Sequence, residues 1–151
     1  MHIDPIRRAI LATGAGLFSL ALARPARATP DEVHAAIRDF SGGAEVRAGR
    51  VRMEVAPLVE NGNAVPLTLR VVSAMPAAEH VRRLAVFNEK NPQANGAVFY
   101  LGPRAGRAVV STRLRLATSQ TLTAIAEMSD GSYWSDSAEV VVTIAACTED
   151  L

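Results

Sequence analysis

An all-β fold is predicted by three observations on this 151-residue chain. Apolar and polar residues alternate over many short stretches, which is the period of a half-buried strand. Turn signals such as Asn-Gly, Asp-Gly and Gly-Pro separate these stretches at intervals of roughly 8–15 residues. Only one stretch carries apolar residues at helical spacing. About seven short strands in this arrangement fit an immunoglobulin-like antiparallel β-sandwich. The sequence adds a short N-terminal helix before the sandwich and a flexible C-terminal Cys-bearing tail after it.

Composition narrows the core and the partners. Hydrophobic residues make up 49% of the chain and aromatics only 5%, so the core is aliphatic. The formal charge is +1, but residues 1–28 hold four of the 16 basic and one of the 15 acidic residues. The remainder therefore has 12 basic and 14 acidic residues, a net charge near −2. That balance argues against nucleic acid or an anionic membrane as partner, since both need a concentrated basic surface.

Residues 1–28 read as an export signal. Arg7-Arg8 precede an uncharged run from Ala9 to Ala23 that is too short and too weakly apolar for a stable membrane span. Ala26-Arg27-Ala28 fits a small-x-small cleavage site, which places the mature start at Thr29. The paired arginines resemble a twin-arginine signal; an ordinary secretory signal with two arginines is the other reading. No cysteine follows the cleavage site, which argues against a lipid anchor.

The domain spans 29–144. Thr29-Pro30-Asp31-Glu32 is a helix start with the spacing of a capping box. Val33, Ala36, Ile37 and Phe40 then form one apolar stripe, and Ser41-Gly42-Gly43 ends the helix. Val51, Met53 and Val55 alternate with charged residues as the first strand. Glu60-Asn61-Gly62-Asn63 reads as a turn. Leu67, Leu69 and Val71 share one face of the next strand, which Met75-Pro76 terminates. His80 to Asn88 follows as a strand, then a loop through Lys90-Asn91-Pro92 and Asn95-Gly96. Val98 to Leu101 is a short strand and Gly106 to Ala117 a long one. Leu122 to Met128 is the next, Asp130-Gly131 turns, and the last strand ends near Ile144. Its Val140-Val141-Val142-Thr143-Ile144 run is rich in β-branched residues.

Residues 145–151 form the tail, and Cys147 is the single cysteine of the chain. Outside the cytoplasm an unpaired thiol is either reactive or bonded to another molecule. Three readings stay open: a working thiol, an intermolecular disulfide, and a packed apolar residue. A cysteine beyond the last strand moves outward with each extended residue, and four residues reach at most about 14 Å, enough to enter another protein's pocket. Glu149, Asp150 and the terminal carboxylate disfavour a thiolate beside them.

Other chemistry is sparse. The chain has no G-x-S-x-G, no phosphate-binding glycine loop and no Cys/His metal spacing. His34 and His80 stand far from any nucleophile in sequence. Asp130, Asp136 and Glu139 cluster around a turn, where solvated carboxylates are the simpler reading than an acid–base pair. Tyr133 and Trp134 lie beside them, and the surface from Met128 to Trp134 is the candidate partner face.

The residues carry a resemblance. Glu60-Asn61-Gly62-Asn63-Ala64-Val65-Pro66-Leu67, Val86-Phe87-Asn88-Glu89-Lys90-Asn91-Pro92 and Leu101-Gly102-Pro103 are part of it. So are Thr112-Arg113-Leu114-Arg115-Leu116-Ala117, Ser119-Gln120 and Ala124-Ile125-Ala126-Glu127-Met128-Ser129-Asp130-Gly131. Together they resemble SoxY, the sulfur-carrier subunit of the periplasmic thiosulfate-oxidising Sox system. The likeness covers the whole chain, including the signal and the terminal cysteine. It implies an immunoglobulin-like fold, periplasmic location after twin-arginine export, and a heterodimer with a SoxZ-like subunit. It implies that Cys147 holds the sulfur substrate covalently but does not itself catalyse, with no cofactor or metal of the chain's own. A c-type cytochrome pair, a sulfate-releasing hydrolase and a sulfane dehydrogenase of the Sox system are the implied partner enzymes.

One departure falls on the arm. The family ends in Gly-Gly-Cys-Gly-Gly, where this chain has Ala145-Ala146-Cys147-Thr148-Glu149. Alanine, threonine and glutamate add bulk and restrict the backbone. Two alternatives accompany the carrier reading: a divergent carrier of another sulfur compound or dehydrogenase system, and an exported binding module that uses Cys147 for an intermolecular disulfide.

Overall fold

The computed structural model describes residues 29–144. The export signal assigned to 1–28 and the arm assigned to 145–151, with Cys147, lie outside the described residues.

Helix α1 (Pro30–Ser41) forms as its sequence predicts. Thr29 accepts the Glu32 backbone N–H, and the Glu32 carboxylate accepts the Thr29 N–H at 2.7 Å, which closes the capping box. Gly42 ends the helix in the left-handed region, at φ 61°. Val33 and Phe40 are buried, Ala36 and Ile37 partly so, and His34 is exposed.

Nine strands follow among the described residues. They are β1 (Val46–Ala48), β2 (Val51–Val55), β3 (Leu58–Asn61), β4 (Val65–Val71) and β5 (Val81–Asn88), then β6 (Asn95–Tyr100), β7 (Val109–Leu114), β8 (Gln120–Met128) and β9 (Tyr133–Ile144). One sheet has the order β1-β9-β8-β5-β6, with β3 also on β9; the other is β2-β4-β7. The chain crosses between the sheets three times over β1 to β4, which places β1 and β3 along the same edge of β9. Both pairings with β9 are parallel, while all others are antiparallel.

The sheets face each other across an aliphatic core. Leu67 and Leu69 of β4 meet Leu84 and Val86 of β5, Leu122 of β8 and Val140 of β9, all at most 2% exposed. β2 and β4 alternate because only one face of their sheet is covered. β5 and β8 do not alternate, because both faces are covered. The second face belongs to α1. Val33 and Phe40 pack there on Ala85, Phe87, Ile125 and Tyr133. Phe40 lies edge-on to Phe87 and to Tyr133, with centroids 5.8 and 6.1 Å apart. Arg83 locks the helix end: its Nη2 donates to the Phe40 carbonyl at 3.1 Å, and its guanidinium lies 4.4 Å from the Phe40 ring centre. The Glu127 carboxylate, nearly buried, bonds Arg83 and also pairs with Arg82 at 3.4 Å. That bond raises the Arg83 guanidinium above its ordinary range.

The structure corrects the element list in three places. β1 and β3 were not expected, because both are short and mostly exposed and are held by backbone pairing to β9. The turn expected at Glu60-Asn61-Gly62-Asn63 is present, as a 3-10 turn (Gly62–Ala64) capped by Asn61. The expected long strand from Gly106 shrinks to β7, since pairing with β4 runs only from Val109 to Leu114. Asn95-Gly96 begins β6 instead of lying in a loop; a Cβ on Gly96 would stand 3.2 Å from the Val86 carbonyl, so glycine permits this close pairing.

Candidate functional site

Cys147 is three residues beyond Ile144, the last described residue, so the structure describes the root of the arm rather than the thiol. β9 forms the root. β8 pairs with β9 only as far as Gln120 opposite Val140. Past that point β8 has no backbone left to offer. Ser119 takes over with its side chain: its Oγ accepts the Val142 N–H at 2.9 Å and donates to the Val142 carbonyl at 3.4 Å. On the other edge Leu58 stands opposite Val141 and Asn61 opposite Ile144. The Val141 N–H donates to the Pro57 carbonyl at 2.9 Å, and the Thr143 hydroxyl to the Glu60 carbonyl at 3.3 Å. Leu58, Val141 and Ile144 stay exposed around this root.

A buried amide network holds Ser119 in place. Gln120 is 3% exposed. Its Nε2 donates to Asn91 Oδ1 at 2.8 Å and to the Thr118 carbonyl at 3.1 Å, and its Oε1 accepts the Lys90 N–H at 2.9 Å. Asn91 Oδ1 also accepts the Ala117 N–H, and its Nδ2 donates to the Arg115 carbonyl at 2.7 Å. The Glu89 carboxylate accepts the Thr121 N–H at 3.3 Å. Two motifs distant in sequence, Glu89-Lys90-Asn91 and Ser119-Gln120, thus build one loop platform beside the end of β9. Sequence reasoning placed Lys90-Asn91 in a loop and cited Ser119-Gln120 only for the resemblance, and missed this role. Ser119→Ala is expected to raise amide exchange at Val142 and Ile144 by about tenfold, the cost of roughly one hydrogen bond. Amides of β5 and β8 should keep their wild-type protection.

The other candidate residues do not converge. His80 Nδ1 lies 3.2 Å from the Ala77 carbonyl, and His34 is on the exposed side of α1. Asp130 alone sits in the turn, where its carboxylate accepts the Ser132 N–H at 2.8 Å and hydroxyl at 2.6 Å. Those bonds, helped by Arg50 and Arg47, hold its carboxyl below the ordinary value. Its contribution to stability is therefore present above the ordinary carboxylate range and fades as pH falls through the lowered value. Asp136 is on β9 and accepts the Met53 N–H at 2.8 Å, tying the two sheets together. Glu139 is also on β9, opposite Thr121 and exposed. Each carboxylate has its own place, so they form no acid–base pair. Among the described residues no group of three or more His, Cys, Asp or Glu side chains is placed to hold a metal. On the expected partner face, Met128 and Tyr133 are buried. Trp134 is half-buried; its Nε1 donates to Ser132 Oγ at 3.0 Å, and Arg47 and Arg50 stack on its ring.

Comparison with known proteins follows from this architecture. The structure is similar to that of the sulfur carrier protein SoxY from Chlorobium limicola f thiosulfatophilum, with 23% identity, 74% of this chain and 92% of that chain covered, and a TM-score of 0.63. It is also similar to a superoxide reductase (neelaredoxin) from Ignicoccus hospitalis, at 19% identity, 76% and 94% coverage and a TM-score of 0.54. A putative superoxide reductase from Thermotoga maritima gives 20% identity, 69% and 90% coverage and a TM-score of 0.53. At such identities these likenesses establish the shared sandwich fold alone. No curated protein matches the chain. The family described as "Sulfur oxidation protein SoxY" matches residues 37–147, most of the chain and up to the cysteine itself. The chain therefore belongs to the SoxY family of sulfur oxidation proteins.

Proposed function

We propose that this protein is a covalent sulfur carrier of periplasmic thiosulfate oxidation, with Cys147 as the attachment point. The family match through residue 147, the only cysteine, carries this reading. Thiolate sulfur is the nucleophile such carriage needs. Joining a thiol to thiosulfate forms one S–S bond, releases the thiol proton and removes two electrons; a c-type cytochrome pair accepts them. A sulfate-releasing hydrolase and a sulfane dehydrogenase then work on the bound group. The chain itself supplies no catalytic group, and a SoxZ-like subunit completes the heterodimer. Export through the twin-arginine pathway, with cleavage before Thr29, brings it to these partners. The root geometry supports an arm: Ile144 is exposed at the end of β9, and three further residues reach about 10 Å.

The residues flanking the thiol favour a second reading. Ala145, Ala146, Thr148 and Glu149 make a bulkier, more acidic arm than glycines would. A carrier of another sulfur compound, serving a different dehydrogenase, fits that arm. Loading with radiolabelled thiosulfate and the cytochrome pair separates the two. Label on the chain that a thiol reductant releases supports thiosulfate as cargo. An unlabelled chain that becomes loaded with another sulfur donor supports the second reading.

A further inference from the structure

We propose that the start of α1 is built to receive the amino group that processing creates: cleavage before Thr29 turns the capping box into an ion pair between the new α-ammonium of Thr29 and the Glu32 carboxylate. The inference rests on the export and cleavage reading, and is independent of what Cys147 carries. Thr29 precedes the first helical residue with an extended backbone, at φ −106° and ψ 158°. Its N–H donates to Glu32 Oε2 at 2.7 Å, and its hydroxyl accepts the Glu32 N–H at 3.3 Å. The first of these is at the short end of N–H···O distances, the range of a charge-assisted bond.

Glu32 forms no ion pair among the described residues. The first turn carries Asp31 and Glu32 as its acidic residues, and the basic Arg38 stands in the last turn. Hydrolysis of the Ala28–Thr29 bond by a signal-removing peptidase consumes one water. It leaves a carboxylate on Ala28 and, with the proton taken up by the amine, an ammonium on Thr29. The Thr29 nitrogen thus gains donors and a unit positive charge while the backbone around it stays where α1 holds it. A bare positive charge at a helix N-terminus opposes the helix dipole. The Glu32 carboxylate, already within bonding distance, neutralises that charge without any rearrangement.

The pair stands where α1 enters the core. Val33, the next residue after Glu32, is buried in the cluster that joins α1 to Ala85, Phe87 and Ile125. Its N–H donates to the Thr29 carbonyl at 3.0 Å, which closes the first turn. In the uncut chain Glu32 caps an amide, and its negative charge adds little beyond the bond. In the processed chain the same charge answers the ammonium. The contribution of Glu32 to α1 therefore depends on processing, and the two are coupled through one hydrogen bond.

The test compares the mature chain, beginning at Thr29, with the same chain acetylated on its α-amine, which restores the amide of the uncut protein. Glu32→Gln keeps an oxygen acceptor and removes only the charge. It should lower the melting temperature of the mature chain by about 2–4 °C and that of the acetylated chain by less than about 1 °C. Raising NaCl from about 50 to 500 mM should at least halve the difference. Amide exchange at Val33 should quicken about threefold or more in the mature variant and stay unchanged in the acetylated one. Asp31→Asn, the neighbouring charge, should shift both forms alike, to within about 1 °C. Equal melting losses from Glu32→Gln in the two forms would overturn the ion pair, and so would unchanged exchange at Val33 in the mature variant. Intact mass of the exported chain decides the premise separately. A start at any other residue would overturn the proposal through the cleavage reading, whereas equal losses in a chain that does start at Thr29 would refute the pair alone and leave that reading standing.

Discussion

Cys147→Ser is expected to abolish sulfur loading, with a loss of at least about a hundredfold in any thiosulfate-dependent turnover that passes through this protein. Serine keeps the shape of the side chain but cannot form the S–S bond that holds the cargo. The chain has no second cysteine to substitute for it. Cys147 follows the last strand in sequence by three residues, so the stability of the sandwich should change by less than about 0.5 kcal/mol. Export should also be unaffected. The measurement is electron transfer to the cytochrome pair with purified components, wild type against variant. Undiminished turnover with Cys147→Ser would show that cargo travels elsewhere.

Phe87→Ala carries the largest expected cost in stability, about 3–5 kcal/mol by denaturant unfolding. Phe87 is 1% exposed on the β5 face that α1 covers. Removing its ring leaves a cavity beside Ala85 and Ile125 and takes away the edge contact with Phe40. Native domains hold about 5–15 kcal/mol in total, so one such substitution is severe. The helix should loosen first, with faster amide exchange across α1 than across β4. A cost below about 1 kcal/mol would mean that α1 is not part of the core. Loading of Cys147 should survive at temperatures where the variant remains folded, because the arm root is on the far end of β9.

Much of this architecture was legible in residues. The capping box at Thr29 and the stripe ending at Phe40 gave α1, and alternation in β2 and β4 gave the half-buried sheet. The immunoglobulin-like class followed from those patterns and the turns. β1 and β3 were not legible, because backbone pairing to β9 needs no side-chain signature. The long apolar runs of β5 and β8 were legible as strands, yet their double burial depends on where a helix far off in sequence comes to rest. At the candidate site, Cys147 stood out by its chemistry and by the expected export alone. Ser119, Gln120 and Asn91 did not, since polar residues near turns look alike until tertiary partners bury them.

The most direct test of the carrier account is intact-mass spectrometry of the protein from its native periplasm after growth on thiosulfate, with and without reductant. The account predicts a chain beginning at Thr29 and a reducible adduct on Cys147 whose mass equals sulfur or thiosulfate units. A bare thiol, or a disulfide to another protein, under those conditions would contradict it.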